Sequence, residues 1–243
     1  MTAISSINSD INLDNLYKNI TINSDIPFIQ HGSLGIKGES YKKKRKTRKP
    51  EKKKTFFNQV TLHLNCLKLV NVKLFNNGKI QMTGLKYQDH GSKVLDKLIP
   101  ILQQLNDQYE EKILTNNDIH YTPINIVLIN SGFNIGFKVK RDILHREIVE
   151  NGMYSSYEPC IYPGVNIKYY YNLHTDHGIC QCSSICNGKG DGSSDGCCKR
   201  ITIAVFKSGE IIITGARTTN QLEIAYQFIH KFMNDKKESF TLN

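Results

Sequence analysis

No stretch of the 243-residue chain is apolar for long enough to cross a bilayer. Its start, MTAISSINSDINLDNLYKNI, lacks the basic residues and apolar core that mark a secretory signal. An intracellular protein with reduced thiols is therefore expected. There is no Ser–His–Asp set, no glycine-rich phosphate loop and no pair of acids placed for a cleft, which argues against an enzyme. Acidic residues are in short supply: 22 Asp and Glu stand against 32 Lys and Arg, a net charge of +10. That balance favours a polyanionic partner, either nucleic acid or an acidic membrane, and charge alone does not choose between them.

What the chain does have is a repeat. LFNNGKIQMTGLK at 74–86 and VFKSGEIIITGAR at 205–217 match at one spacing of 131 residues. Phe75 answers Phe206, Gly78 answers Gly209, and Thr83–Gly84 answer Thr214–Gly215. A constant spacing without gaps indicates a duplicated unit. Apolar residues alternate as in half-buried strands, with Val60, Leu62 and Leu64 in the first copy and Ile201, Ile203 and Val205 in the second. Asn77–Gly78 and Ser208–Gly209 supply hairpin turns. A helix follows each strand set, with Val94, Leu95, Leu98 and Leu102 on one face, and Ala225, Ile229 and Met233 matching them. INSDINL at 7–13 also matches INSGFNI at 129–135, at a spacing of 122.

Each half thus reads strand, helix, three antiparallel strands, helix. The expected architecture is α+β, with two pseudo-symmetric repeats in one curved antiparallel sheet and helices on one face. The first repeat covers 1–105, a linker 106–122, the second repeat 123–235 and a tail 236–243. Residues 27–54, which contain YKKKRKTRKPEKKK, read as a basic disordered insertion that could serve nuclear localisation or phosphate contact. Residues 172–198 read as a Cys/His-rich insertion.

Strand parity places Thr202, Ala204, Phe206, Ile212 and Thr214 on the face away from the helices. An exposed Phe and Ile on an uncovered sheet require a partner. A curved, two-fold, partly apolar face in basic surroundings suits the DNA minor groove, where apolar wedges unstack base steps and bend the duplex. A lone strand phenylalanine would more simply pack on a neighbouring loop, but here aromatics recur in two symmetric pairs.

SSYEPCIYPGV at 155–165, together with VFKSGEIIITGAR, resembles the second repeat of the TATA-box-binding protein family. ISSINSDINLD at 4–14 resembles that family's first strand. The resemblance covers most of 1–26, 55–105 and 124–234. It implies a saddle with helices on its convex face, acting as a general transcription initiation factor that needs no cofactor. Its partners would be double-stranded A·T-rich promoter DNA and general initiation factors, with no membrane. Kinking aromatics fall on Phe57 with Phe75 and on Tyr162 with Phe206, and central threonines on Thr83 and Thr214. Phosphate-contacting residues fall near His63, Lys86, Lys168 and Arg217, and Ile212 joins the DNA-facing row. A stirrup loop for an initiation factor falls on Tyr157, Glu158 and Pro159. The family's central asparagine is Asn125 or Asn130 in the second half, and Asn8 or none in the first.

Three positions depart from the family. Tyr162 replaces a wedge phenylalanine, and Lys73 and Gln81 stand where the family has aliphatic side chains. A saddle that has lost DNA binding and works as a protein-interaction adaptor is therefore the rival reading. Composition heavy in Asn, Ile and Lys points to an A·T-rich genome, such as that of a protist or a large DNA virus. The expected location is the nucleus, or a cytoplasmic viral factory for a viral protein.

His174, His177, Cys180, Cys182, Cys186, Cys197 and Cys198 offer seven ligands where zinc takes four. Their spacing is not that of a standard finger or ribbon, so unliganded thiols in a flexible hairpin extension are the alternative.

Overall fold

The computed structural model describes residues 1–39, 57–175 and 177–242. The lysine-rich run at 42–54 lies outside them. The chain divides into two compact units, Met1–Val127 and Leu128–Asn243. Among the described residues no helix is long and apolar enough to cross a membrane.

The first unit contains β1 (Thr2–Ser6), α1 (Leu13–Asn19), β2 (Phe28–His31), β3 (Gly35–Gly38), β4 (Gln59–Cys66), β5 (Lys68–Phe75), β6 (Lys79–Thr83) and α2 (His90–Gln108). Its antiparallel sheet runs β3-β2-β4-β5-β6-β1. The alternation read from the sequence sends Val60, Leu62, Leu64, Val72 and Leu74 inward, where they are fully buried with Val94, Leu95, Leu98 and Leu102 of α2. Each such side chain contributes about 1.5–3 kcal/mol when fully removed from water.

The second unit contains β7 (Asn125–Asn134, beginning just before the boundary), α3 (Arg141–Glu150), β8 (Tyr154–Ser156), β9 (Val165–Tyr171), β10 (Lys199–Val205), β11 (Glu210–Ala216), α4 (Thr219–Asp235) and α5 (Lys237–Phe240). Its sheet runs β8-β9-β10-β11-β7, again antiparallel throughout. Ile201, Ile203, Val205, Ile211 and Ile213 are buried on the side of Ala225, Ile229 and Met233. The two units therefore share an α+β plan, and the spacing of 131 residues holds through the last strands and the long helix of each.

The structure corrects two readings. Residues 28–38 are not disordered: β2 and β3 form a hairpin, and β2 pairs with β4 from Phe28 opposite His63 to His31 opposite Val60. Ile29 enters the core, fully buried, and that apolar anchor outweighs the surrounding glycine and charge. The second unit has a counterpart of β2 in β8, so each set of three strands is extended by a further strand, and in the first unit β3 adds one more. Second, the spacing of 122 between 7–13 and 129–135 is not the structural one. Ile7 N–H donates to Gly78 O at 2.9 Å, and Ile135 N–H donates to Gly209 O at 3.0 Å, which makes Ile7 and Ile135 equivalent at a spacing of 128.

Residues 106–122 are tied into the first unit. The buried Asn106 carboxamide oxygen accepts from the N–H groups of Ile113 and Leu114, both at 2.9 Å. Ile113, Leu114 and Ile119 join the core.

Candidate nucleic-acid interface and cysteine cluster

Register across the second unit assembles its outward face in rows. One row runs Tyr154, Lys168, Thr202, Thr214, Asn130; the next runs Ser156, Asn166, Ala204, Ile212, Gly132. Thr214 Oγ1 donates to Asn130 Oδ1 at 2.5 Å, and Lys168 Nζ donates to Thr202 Oγ1 at 3.0 Å. Burial, then the neighbouring Arg200, holds the Lys168 ammonium below its ordinary pKa. Lys168 thus lies within the face, whereas Arg217 is exposed on the turn before α4. Of the two candidate asparagines, Asn130 faces Thr214, and Asn125 stands at the start of β7.

At the end of this face Tyr162 and Phe206 meet edge to face, ring centroids 5.7 Å apart. The loop over 157–164 delivers Tyr162, whose N–H donates to Glu158 O at 2.8 Å. Arg141 stacks over the Tyr157 ring and donates to Pro163 O, pinning the loop to α3. Tyr157, Glu158 and Pro159 therefore sit directly before the aromatic pair. Gly164 closes the loop by necessity: a Cβ there would lie 2.8 Å from Tyr162 Cε1 and 3.2 Å from Phe206 Cε1. Gly164→Ala is expected to push the two rings apart while the unit stays folded, seen as loss of the Tyr162–Phe206 cross-peaks in NMR.

The first unit's rows correspond position by position. Phe28, His63, Asn71, Thr83 and Thr2 form one, and Gln30, Thr61, Lys73, Gln81 and Ile4 the next. Thr2 occupies the place of Asn130, so the first repeat has no central asparagine, and Asn8 lies beyond the strand. His63 is buried and stacks on Phe28 at 4.5 Å. Phe57 is 73% exposed, and among the described residues no ring contact joins it to Phe75. The two faces share geometry and differ in chemistry.

One matched device escaped the sequence reading. In the first unit the buried His90 accepts the Lys86 N–H on Nδ1 at 3.1 Å, and its Nε2–H donates to Cys66 O at 2.7 Å. In the second, the buried Gln221 accepts the Arg217 N–H at 2.9 Å, and its Nε2 donates to Asp191 O at 2.9 Å. Each fixes a basic residue, Lys86 or Arg217, at the start of its long helix. The only sequence signal was the 131-residue spacing itself.

Of the seven candidate ligands, the fold gathers four. The sulfurs of Cys180, Cys182, Cys186 and Cys198 all lie within 4.8 Å of one another. His174, His177 and Cys197 are not part of that group. Burial pushes the Cys198 thiol up. Desolvation also acts upward on Cys186, but N–H groups of Gly188 and Cys198 hydrogen-bond its sulfur and hold it below the ordinary thiol value. Four sulfurs so placed could hold a metal ion.

Two α+β units of one plan, each with its long helix on one face of an antiparallel sheet, are the class that the fold defines. Residues 124–236 match the family model described as transcription factor TFIID (or TATA-binding protein, TBP). A TATA-box-binding protein-like protein of Acanthamoeba polyphaga mimivirus is 32% identical over 204 residues, which cover 78% of this chain and 51% of that protein. The chain thus spans about half the length of that curated relative. Methanococcus jannaschii TBP shares the fold, with a TM-score of 0.50 at 18% identity over 98% of this chain and 95% of that one. These similarities mark the chain as a divergent TBP-like protein, with the family's domain matched over residues 124–236.

Proposed function

We propose that the chain is a DNA-binding transcription initiation factor that seats its sheet faces in the minor groove of A·T-rich promoter DNA and bends it. The observation that carries this reading is the Tyr162–Phe206 pair at the end of an outward face holding Asn130, Thr214 and the 41% exposed Ile212. Rings placed so can enter a base step, the central polar pair can meet base edges, and the net charge of +10 favours the duplex. The names of the mimiviral relative and the archaeal structure agree with such a partner. Tyr157, Glu158 and Pro159 would offer the contact for an initiation factor. The site of action would be the nucleus or a viral factory, and the chain would act by binding and not by catalysis.

A second reading rests on the first unit. Lys73, Gln81 and Thr61 make its outward row polar, as expected of an adaptor that binds protein instead of DNA. Mobility-shift titrations against A·T-rich and G·C-rich duplexes decide between them. Tighter binding to the A·T-rich duplex is expected, and no complex even at low salt would favour the adaptor. Arg217→Ala should weaken binding to both duplexes alike and lower the salt slope by about one unit, as for loss of one phosphate contact.

A further inference from the structure

We propose that Cys180, Cys182, Cys186 and Cys198 bind one zinc ion as a closed tetrathiolate site that holds the 172–198 segment in shape.

The distances suit this ion. Zinc–sulfur bonds of about 2.3 Å in a tetrahedron place the sulfurs about 3.8 Å apart. Cys198 Sγ lies 3.8 Å from Cys180 Sγ and 3.3 Å from Cys182 Sγ, with all four sulfurs inside 4.8 Å. An iron–sulfur cluster would spread the ligands, because its sulfurs bind separate irons. A disulfide between Cys182 and Cys198 would use two sulfurs and leave the convergence of Cys180 and Cys186 without a cause. The set has four protein ligands and no open position, the pattern of a structural site, not a catalytic one.

The surroundings are built for thiolates. Asp195 accepts from the N–H and Oγ of both Ser183 and Ser184, which clips the loop carrying Cys182 and Cys186 to the loop carrying Cys198. Four thiolates around a divalent ion leave two negative charges, and Lys189, Lys199 and Arg200 lie beside the ligand loops.

The segment also reaches the outward sheet face. Tyr170 N–H donates to Gly178 O and Arg200 N–H donates to Gly188 O, each at 2.8 Å. Both residues stand next to the row containing Lys168 and Thr202. The zinc would thereby fix the rim of that face, without being required for the fold of the sheet.

Metal analysis of the full chain, purified without chelator, should give about one zinc per molecule. Replacement by cobalt should give the intense thiolate charge-transfer bands and visible bands of a tetrahedral sulfur site. Cys182→Ser and Cys186→Ser should each reduce bound zinc at least tenfold, whereas Cys197→Ser and Cys66→Ser should leave it unchanged. Metal-free folded protein with all seven thiols titratable would overturn the assignment. So would iron in place of zinc, a Cys182–Cys198 disulfide, or full zinc retention in the Cys182 and Cys186 variants. The stoichiometry and the cobalt spectrum come from the unaltered chain, so a variant that fails to fold does not decide the matter. DNA binding is not the readout, so this test can fail while the DNA reading stands.

Discussion

Gly209→Ala is expected to destabilise the second unit by about 3 kcal/mol or more, because it combines backbone strain with a clash. Gly209 turns the β10–β11 hairpin at φ +88°, a region that side chains rarely adopt. Its N–H donates to Phe206 O at 3.0 Å, and its carbonyl accepts the N–H of Ile135. A Cβ would stand 2.3 Å from Phe137 O, a backbone atom that cannot swing away. Gly136 provides the control in the same unit, with φ +90° and nothing within 4 Å of its Cβ. Gly136→Ala should therefore show the strain alone, about 1 kcal/mol. Urea unfolding followed by a probe in the second unit would read both. Equal losses for the two variants would show that the close approach of the Phe137 carbonyl to the turn is not what fixes Gly209. Gly78 should behave as Gly209 does, with φ +73° and Ser9 O 2.4 Å from its Cβ position.

That pair of glycines also shows why the duplication was legible. Turn geometry admits few residue types, and strand alternation with helix periodicity is written directly in the order of side chains. The reading failed where a short apolar signal sat in a strongly biased context. Phe28 and Ile29 are two residues among glycines and lysines, and composition averaged over 27–54 hid a hairpin. It failed again at 7–13, where Ile and Asn recur so often that two alignments look alike. Only the ladder to Gly78 and Gly209 selects the spacing of 128. His90 and Gln221 were invisible for another reason. They share a function, accepting one N–H and donating to one carbonyl, but not a residue type. The cysteine set was narrowed by loop closure, and spacing along the chain does not encode which of seven side chains will converge.

Phe206→Ala should weaken DNA binding by roughly tenfold to hundredfold, the equivalent of about 1–3 kcal/mol for one base–aromatic contact. It should reduce bending in parallel. Opening a base step costs a few kcal/mol, and that cost is met only while rings occupy the gap and the bent duplex wraps more surface. Phe206 is half-exposed on the outward parity, so the core of Ile203, Val205 and Ile211 should survive its loss. Tyr162→Ala should act similarly, because each ring supports the other across 5.7 Å. Tyr162→Phe should bind at least as well as the natural chain, since it removes a hydroxyl that would need a partner between bases. The first unit should respond less. Phe57 has no ring contact with Phe75 among the described residues, so neither holds the other in place for entry, and Phe57→Ala should cost less than Phe206→Ala. Fluorescence energy transfer across an end-labelled A·T-rich duplex would report the bend, with affinity measured on the same sample. A straight duplex in the saturated natural complex would sink the wedge mechanism. Equal losses from the Phe57 and Phe206 variants would instead show that both units insert alike, despite their different faces.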